Sequence, residues 1–131
     1  MDVINIVATV VSVASLILVI HQSINLQKTI NSQIYQNFVA NSLEIDRILI
    51  DRPYLRPYIY GKAEVNEHAE NLDQIMSLVE LVVDITENIE VYKKYIPRSR
   101  RIGWLQFVHD VKSTSAYNYY INEYGAWYKE S

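Results

Sequence analysis

Two arginines and two tyrosines in one short segment are the first residues in this chain whose types and spacing suggest a ligand site. In DRPYLRPYIYGK, Arg52 and Arg56 each precede a proline, and Tyr58 and Tyr60 follow. Two guanidinium groups can form a fork that holds a phosphate or a carboxylate. The alternative is structural, because proline disfavours helical geometry in the residue before it and would end one helix in a corner. We predict the corner and keep these four side chains as candidate contacts for a partner or an anion.

A second group of basic residues lies in PRSRR. Arg98, Arg100 and Arg101 are followed closely by Trp104, and charge beside an aromatic ring can contact anionic lipid headgroups, RNA or a partner protein. The structural alternative, which we favour, is a solvated linker that offsets the acidic charge of the preceding helix. The chain has 15 acidic and 12 basic residues, so its overall charge gives no reason to expect a nucleic-acid partner.

The histidines offer little further chemistry. His21, His68 and His109 lack the Glu-x-x-His pairs of a helical di-metal site, so we predict no metal, no cofactor and no catalytic residue. One enzymatic alternative is a ribonuclease of the HEPN type, in which an arginine is followed a few residues later by a histidine. The nearest pair here, Arg101 and His109, has seven residues between its members, which is more than that motif has. A degenerate nuclease is therefore the most distant alternative.

Residues 3–20 form an uncharged apolar run that is long enough to cross a membrane. As a helix, the run spans about 27 Å, close to the roughly 30 Å of a bilayer's hydrocarbon core. A cleaved signal peptide would need a basic region before the run, whereas Asp2 is acidic. A buried core helix is the other alternative, but a domain this small rarely encloses a helix that is apolar all round. We predict an anchor over residues 1–26 and a helical domain over residues 27–131.

The distribution of positive charge predicts an orientation. No lysine or arginine precedes the apolar run, and Lys28, Arg47, Arg52 and Arg56 follow it. Because cytoplasmic flanks are enriched in basic residues, we expect a single-pass protein of the inner membrane. Its N-terminus would lie outside and residues 27–131 in the cytoplasm. The absence of cysteine fits a reducing compartment.

One face of the predicted anchor carries small and polar side chains. Asn5, Ala8, Ser12 and Ser15 recur at spacings of three and four residues. In lipid, small residues let helices approach closely and polar ones hydrogen-bond between helices. The alternative is that the hydroxyls bond their own backbone, but four such residues in one register favour self-association. In a large oligomer this face would line a narrow pore, although it lacks the charged rings of many channels.

The remaining sequence is patterned for helices. Apolar residues at helical spacing predict a first helix to about residue 50, a second over 67–95 and a third over 103–124. Asn66 is the expected N-cap of the second helix, and Gly125 is placed to end the third. Gly61 is placed to take the positive φ of a chain reversal. The predicted fold is all-α, with one transmembrane helix continuing into a cytoplasmic helical hairpin or three-helix bundle.

The run EIDRILIDRPYLRPYIYGK, together with the anchor and SQIYQNF, resembles a group of uncharacterised bacterial small membrane-anchored proteins. Their shared pattern is an N-terminal span, a helix and a proline-leucine-arginine-proline-tyrosine corner. The resemblance covers about the first half of the chain and ends after Lys62. It implies anchor topology and a bacterial origin, and it implies no activity.

These observations favour a non-enzymatic, membrane-anchored interaction module that self-associates. The expected partners are the lipid bilayer, further copies of the chain and an unidentified protein. The alternative is an oligomeric membrane effector that perforates or perturbs the bilayer, for example in bacterial defence or stress.

Overall fold

The computed structural model describes residues 2–125, and within them every regular element is helical. The α-helices are α1 (Val3–Asp51), α2 (Arg56–Tyr60), α3 (Leu72–Tyr92), α4 (Arg98–Lys112) and α5 (Ser115–Tyr124). Short 3-10 turns at Pro53–Leu55 and Lys93–Tyr95 precede α2 and follow α3. The all-α class predicted from the sequence is therefore confirmed.

The chain forms two units, Met1–Ile34 and Tyr35–Ser131. In the first unit, residues 3–30 of α1 are exposed throughout, and none of the described side chains, residues 2–34, is buried. In the second unit, α3 packs against both α4 and α5. It supplies much of the core because its apolar residues recur at helical spacing; its buried apolar residues are Ile75, Met76, Leu78, Val79, Val82, Val83, Ile85 and Ile89.

In the corner after α1, the backbone of Arg52 is non-helical as predicted, whereas that of Arg56 is helical. Arg52 leaves the helical region, with φ −133° and ψ 71°, and Pro53 begins a 3-10 turn. Arg56, which was expected to be non-helical because Pro57 follows it, is helical with φ −55° and ψ −41°. The steric preference against helical geometry before a proline is overcome at Arg56, and Pro57 itself is tolerated because a missing N–H costs nothing in the first turn of α2. The Arg56 N–H donates to the Pro53 carbonyl.

Gly61 is required for space, and the positive φ predicted for it is wrong. Its backbone is extended, with φ −122° and ψ −162°, a conformation open to any residue. A Cβ at this position would lie 2.6 Å from the carbonyl oxygen of Pro57, which accepts a hydrogen bond from the Ala63 N–H at 3.3 Å. The chain can therefore turn back at this point only because Gly61 has no side chain.

Alanine at Gly61 should destabilise the second unit by about 1–3 kcal/mol, because the clashing atom belongs to the backbone and cannot rotate away. Gly103 is the matched control, since a Cβ there meets nothing within 4 Å. Gly103→Ala in the interior of α4 should instead stabilise by up to about 1 kcal/mol through helix propensity. Thermal unfolding of the two variants should therefore shift in opposite directions. Shifts of equal sign and size would contradict this explanation of Gly61.

Helix α3 begins at Leu72, five residues after the start that Asn66 predicts. Asn66 does accept a local bond, from the His68 N–H to its Oδ1 at 2.9 Å, but this closes an isolated turn. Asn71 then adopts the left-handed region with φ 62°, which asparagine tolerates better than most residues. The prediction of Asn66 as the N-cap of α3 is therefore wrong, because the turn it closes does not continue into the helix.

The predicted third helix is two helices, and the predicted basic linker is helical. Helix α4 begins at Arg98, directly after Pro97, so PRSRR forms its first turn. Thr114 ends the continuity between α4 and α5: its backbone is extended and its Oγ1 accepts from the Tyr117 N–H at 3.2 Å. Threonine is a favoured N-cap, and this signal was present in the sequence. Gly125 follows the end of α5, as predicted.

Candidate functional site

The small and polar residues of the predicted anchor are all exposed in the first unit. Asn5, Ala8, Ser12 and Ser15 lie within about 80° of one another around α1, because each residue advances a helix by about 100°. We call this the small-residue face. On the opposite side lie large apolar side chains; these include Ile6, Val10, Val13 and Ile17.

Two hydroxyl groups of this segment bond to their own helix backbone. Thr9 Oγ1 donates to the Asn5 carbonyl at 2.8 Å, and Ser12 Oγ donates to the Ala8 carbonyl at 2.8 Å. Bonding of hydroxyls to their own backbone was the alternative to self-association in the sequence analysis, and Thr9 and Ser12 both show it. Each hydroxyl oxygen keeps lone pairs that can accept a further bond. On the small-residue face, the Ser12 hydroxyl therefore donates its hydrogen within the chain, and its oxygen can still accept a hydrogen bond from a second helix.

At the corner, Arg56 and Tyr60 stack on each other. The Arg56 guanidinium lies 5.6 Å from the centroid of the Tyr60 ring, and the Phe107 ring lies 6.3 Å from that centroid on α4. Partial burial raises the pKa of Tyr60, and the charge of Asp46 raises it further, while Arg56 lowers it. Tyr58 is half-buried. These contacts use the corner residues to join α2 to α4.

Arg52 lies elsewhere, at a depression of about 320 Å³ between the end of α1 and the start of α3. Asp51 and Gln74 also line it, and Arg56 does not. The side chain of Gln74 accepts a hydrogen bond from the Tyr54 hydroxyl, which ties the corner to α3. The structure thus gives the two arginines different contacts, with Arg52 at this depression and Arg56 on the Tyr60 ring. It favours the structural alternative for this segment.

The three arginines of PRSRR extend from the first turn of α4. Arg98 and Arg100 are exposed, and Arg101 is half-buried. One terminal nitrogen of Arg101 donates to the carbonyl oxygens of Lys94 and Ile96, at 3.2 and 3.1 Å. Arg101 therefore holds the connection between α3 and α4, which is a structural role. The Arg101 side chain is bound at these carbonyl oxygens, whereas His109 is exposed near the end of the same helix.

The first turn of α4 carries positive charge, which the dipole of the helix disfavours at its N-terminus. The first turn contains no acidic residue and Pro97 offers no capping side chain, although helix N-termini favour negative charge. Lys93 and Lys94 precede it in the 3-10 turn and are also exposed. We call Lys93, Lys94, Arg98, Arg100 and Arg101 the basic surface. Its two lysines were missed as site residues, although no acidic residue occurs between Glu90 and Asp110 in the sequence.

The other titratable residues with shifted pKa values lie at α3 and α5. Burial, followed by the charge of Asp84, raises the pKa of Glu87, while Lys112 lowers it. Lys112 Nζ pairs with Glu90 Oε2 at 2.7 Å, and both side chains are more than one-third exposed. An exposed pair of this kind adds little stability. Among residues 2–125 no three His, Asp or Glu side chains gather as metal ligands.

Comparison of the chain with protein-family models, with curated proteins and with solved structures finds no match.

Proposed function

We propose that this protein is a single-pass, membrane-anchored helical module that self-associates through its anchor and presents the second unit to the cytoplasm. Residues 3–20 cross the inner membrane with the N-terminus outside. The second unit is a helical bundle that acts by binding, without catalysis. The resemblance of the corner to bacterial membrane-anchored small proteins supports the same topology.

The observation that carries this proposal is the contrast in burial between the two parts of the chain. The most apolar stretch of α1 is long and apolar enough to span a membrane, and none of its residues is buried. The second unit encloses a core of its own, to which Phe38, Ile45 and Leu49 of α1 contribute. A core helix of a soluble protein would be mostly buried. Lipid is the environment that covers an exposed apolar helix of this length.

Self-association is supported by the composition of the small-residue face. Ala8, Ser12 and Ser15 permit close approach of two helix backbones, and Asn5 carries a carboxamide near the start of the span. Polar contacts between membrane helices contribute about 0.6–2 kcal/mol each. A second copy of the same helix, packed face to face, supplies both partners for such contacts. Large side chains on the opposite side then face lipid.

Leucine at both Ser12 and Ser15 should weaken self-association, because it removes two small residues and two hydroxyls from the face. The expected loss is about 1–4 kcal/mol, which corresponds to a rise in dissociation constant of roughly fivefold to nearly a thousandfold. Energy transfer between donor- and acceptor-labelled chains in liposomes measures it. The matched control is Val10→Leu with Val13→Leu on the opposite side, which should leave association unchanged.

The same liposomes separate this function from the pore alternative. A binding module should leave ion permeability at the level of empty liposomes, whereas an effector that perforates the bilayer should raise ion flux in parallel with association. Unchanged energy transfer in the Ser12 and Ser15 variant would remove the small-residue face as the interface. Absence of energy transfer in the unmodified chain would remove self-association itself.

A further inference from the structure

The five side chains of the basic surface form no ion pair within the part of the chain that the structure describes. Both ion pairs there lie elsewhere, at His68–Glu67 and at Lys112–Glu90. Lys94 contacts a ring, with its Nζ 4.9 Å from the centroid of Tyr95. The guanidiniums of Arg98 and Arg100 project into solvent from the first turn of α4. A concentration of positive charge that forms no ion pair among the described residues is complementary to an anionic surface.

Exposed apolar residues lie on the same face of α4 as one of these charges, Arg98. Ile102 is 81% exposed and Leu105 is 38% exposed. Arg98, Ile102 and Leu105 are spaced by four and three residues, so they share one face of α4. Basic residues next to exposed aliphatic ones are typical of helices that lie in the headgroup region of a membrane.

Helix α4, which carries the three arginines of the basic surface, contacts α1 close to the start of the second unit. The unit begins at Tyr35, and Phe38 packs against Trp104 of α4 with ring centroids 6.3 Å apart. The start of α3 is fixed to the corner by the bond between Tyr54 and Gln74. Trp104 therefore joins α4 to the part of α1 where the second unit begins, and the Tyr60 ring of the corner lies 6.3 Å from Phe107 on the same helix.

We propose that the basic surface, with Ile102, binds anionic phospholipid headgroups at the cytoplasmic face of the membrane. Arginines donate to lipid phosphates, and Ile102 enters the headgroup–acyl boundary. This inference rests on the proposed anchor, because anchoring holds the second unit close to the bilayer and raises the effective lipid concentration.

RNA is the less suitable anion for this surface. Single-stranded RNA is usually held by aromatic rings on which bases stack. The nearby ring of Trp104 is already packed, between Phe38 and Phe107 at centroid distances of 6.3 Å each. The residue that does project beside the arginines is the aliphatic Ile102.

A single fluorescent label tests the proposal in the full chain, which has no native cysteine. Gly103→Cys places an environment-sensitive dye next to Ile102, at a position with no atom within 4 Å of an added Cβ. The chain is inserted in nanodiscs of phosphatidylcholine alone or of phosphatidylcholine with phosphatidylglycerol. We expect emission to shift to the blue, with several-fold stronger quenching by headgroup-attached quenchers, only in the anionic discs. High salt should reverse both changes.

Two further variants make the test specific. Arg98→Gln with Arg100→Gln should abolish the lipid-dependent shift and leave the fold intact, because both side chains are exposed. Arg101 is left unchanged because it bonds two carbonyls. A dye at Asp73→Cys, exposed at the start of α3, should not respond to lipid charge. Equal emission from the Gly103 dye in both kinds of disc would overturn the proposal, as would a response to added RNA alone.

Whether the chain is anchored in the membrane is measured separately, by alkaline carbonate extraction of the same labelled chain. A chain that stays in the membrane but shows no lipid-dependent shift rejects the basic surface and keeps the anchor. A chain that is extracted rejects the anchor, and co-sedimentation with vesicles of the same two compositions then decides the surface. Binding to the anionic vesicles that the Arg98 and Arg100 substitutions remove supports it, and no binding overturns it.

Discussion

Arginine at both Val10 and Val13 should release the protein from the membrane. Both residues lie near the centre of the apolar run, on the side opposite the small-residue face. Each arginine at the centre of a span costs about 2.5–3.5 kcal/mol for insertion, so the pair costs roughly 5–7 kcal/mol. This exceeds a thousandfold change in the insertion equilibrium. Alkaline carbonate extraction of the full chain should move the variant from the pellet to the supernatant.

The control for this result is Val10→Leu with Val13→Leu, which keeps the segment apolar and should remain in the pellet. A double-arginine variant that stays in the pellet would contradict the anchor. The intact mass of the unmodified chain adds an independent reading, since removal of the segment as a signal peptide would shorten it. Retention of the N-terminal residues in membrane-bound protein is the result that the proposed function requires.

The elements with the strongest local pattern were predicted from the sequence. Apolar residues at helical spacing predicted a first helix to about residue 50, and α1 extends to Asp51. The apolar spacing of α3 identified its buried face, from Ile75 to Ile89. These features depend on periodicity over many residues, which a single sequence displays directly. A long apolar N-terminal helix was predicted from an uncharged run of residues, and a helix of that kind is present.

The boundaries that were predicted wrongly depend on competition between short-range signals. Asn66 and Asn71 both carry cap chemistry, and the left-handed backbone of Asn71 decides where α3 begins. Pro97 directly precedes the first turn of α4, so the basic segment that was predicted to be a linker begins a helix. Gly61 depends on a contact with Pro57 that no local pattern reveals.

The candidate sites were predicted less completely than the helices. The sequence identified Arg98 and Arg100 as candidates, but the packing of Trp104 and the exposure of Ile102, on which the lipid proposal depends, come from the folded unit. Conversely, Arg56 and Tyr60 were selected for their chemistry, and they contact each other and α4. A side chain's neighbours in the folded unit determine whether its charge is available. Those neighbours come from elements distant in sequence, so spacing along the chain does not reveal them.

Alanine at Ile89 should lower the stability of the second unit by about 2–5 kcal/mol, because the substitution leaves a cavity in a packed core. Ile89 is completely buried on α3. For a domain of 60–100 residues each kcal/mol lowers the melting temperature by about 4–8 °C. Val91, two residues later, is 67% exposed, and Val91→Ala should change stability by no more than about 0.5 kcal/mol. Thermal unfolding in detergent, followed by tryptophan fluorescence, measures both variants.

The Ile89 variant also tests whether the anchor and the second unit are held by different forces. If lipid holds residues 3–20 and a protein core holds the second unit, Ile89→Ala should unfold that unit at lower temperature and leave carbonate resistance unchanged. The arginine pair at Val10 and Val13 should do the reverse, because it alters transfer into lipid and removes no core contact. Loss of membrane retention in Ile89→Ala would show that the N-terminal segment depends on the folded core. That outcome would contradict its assignment as an independent membrane span.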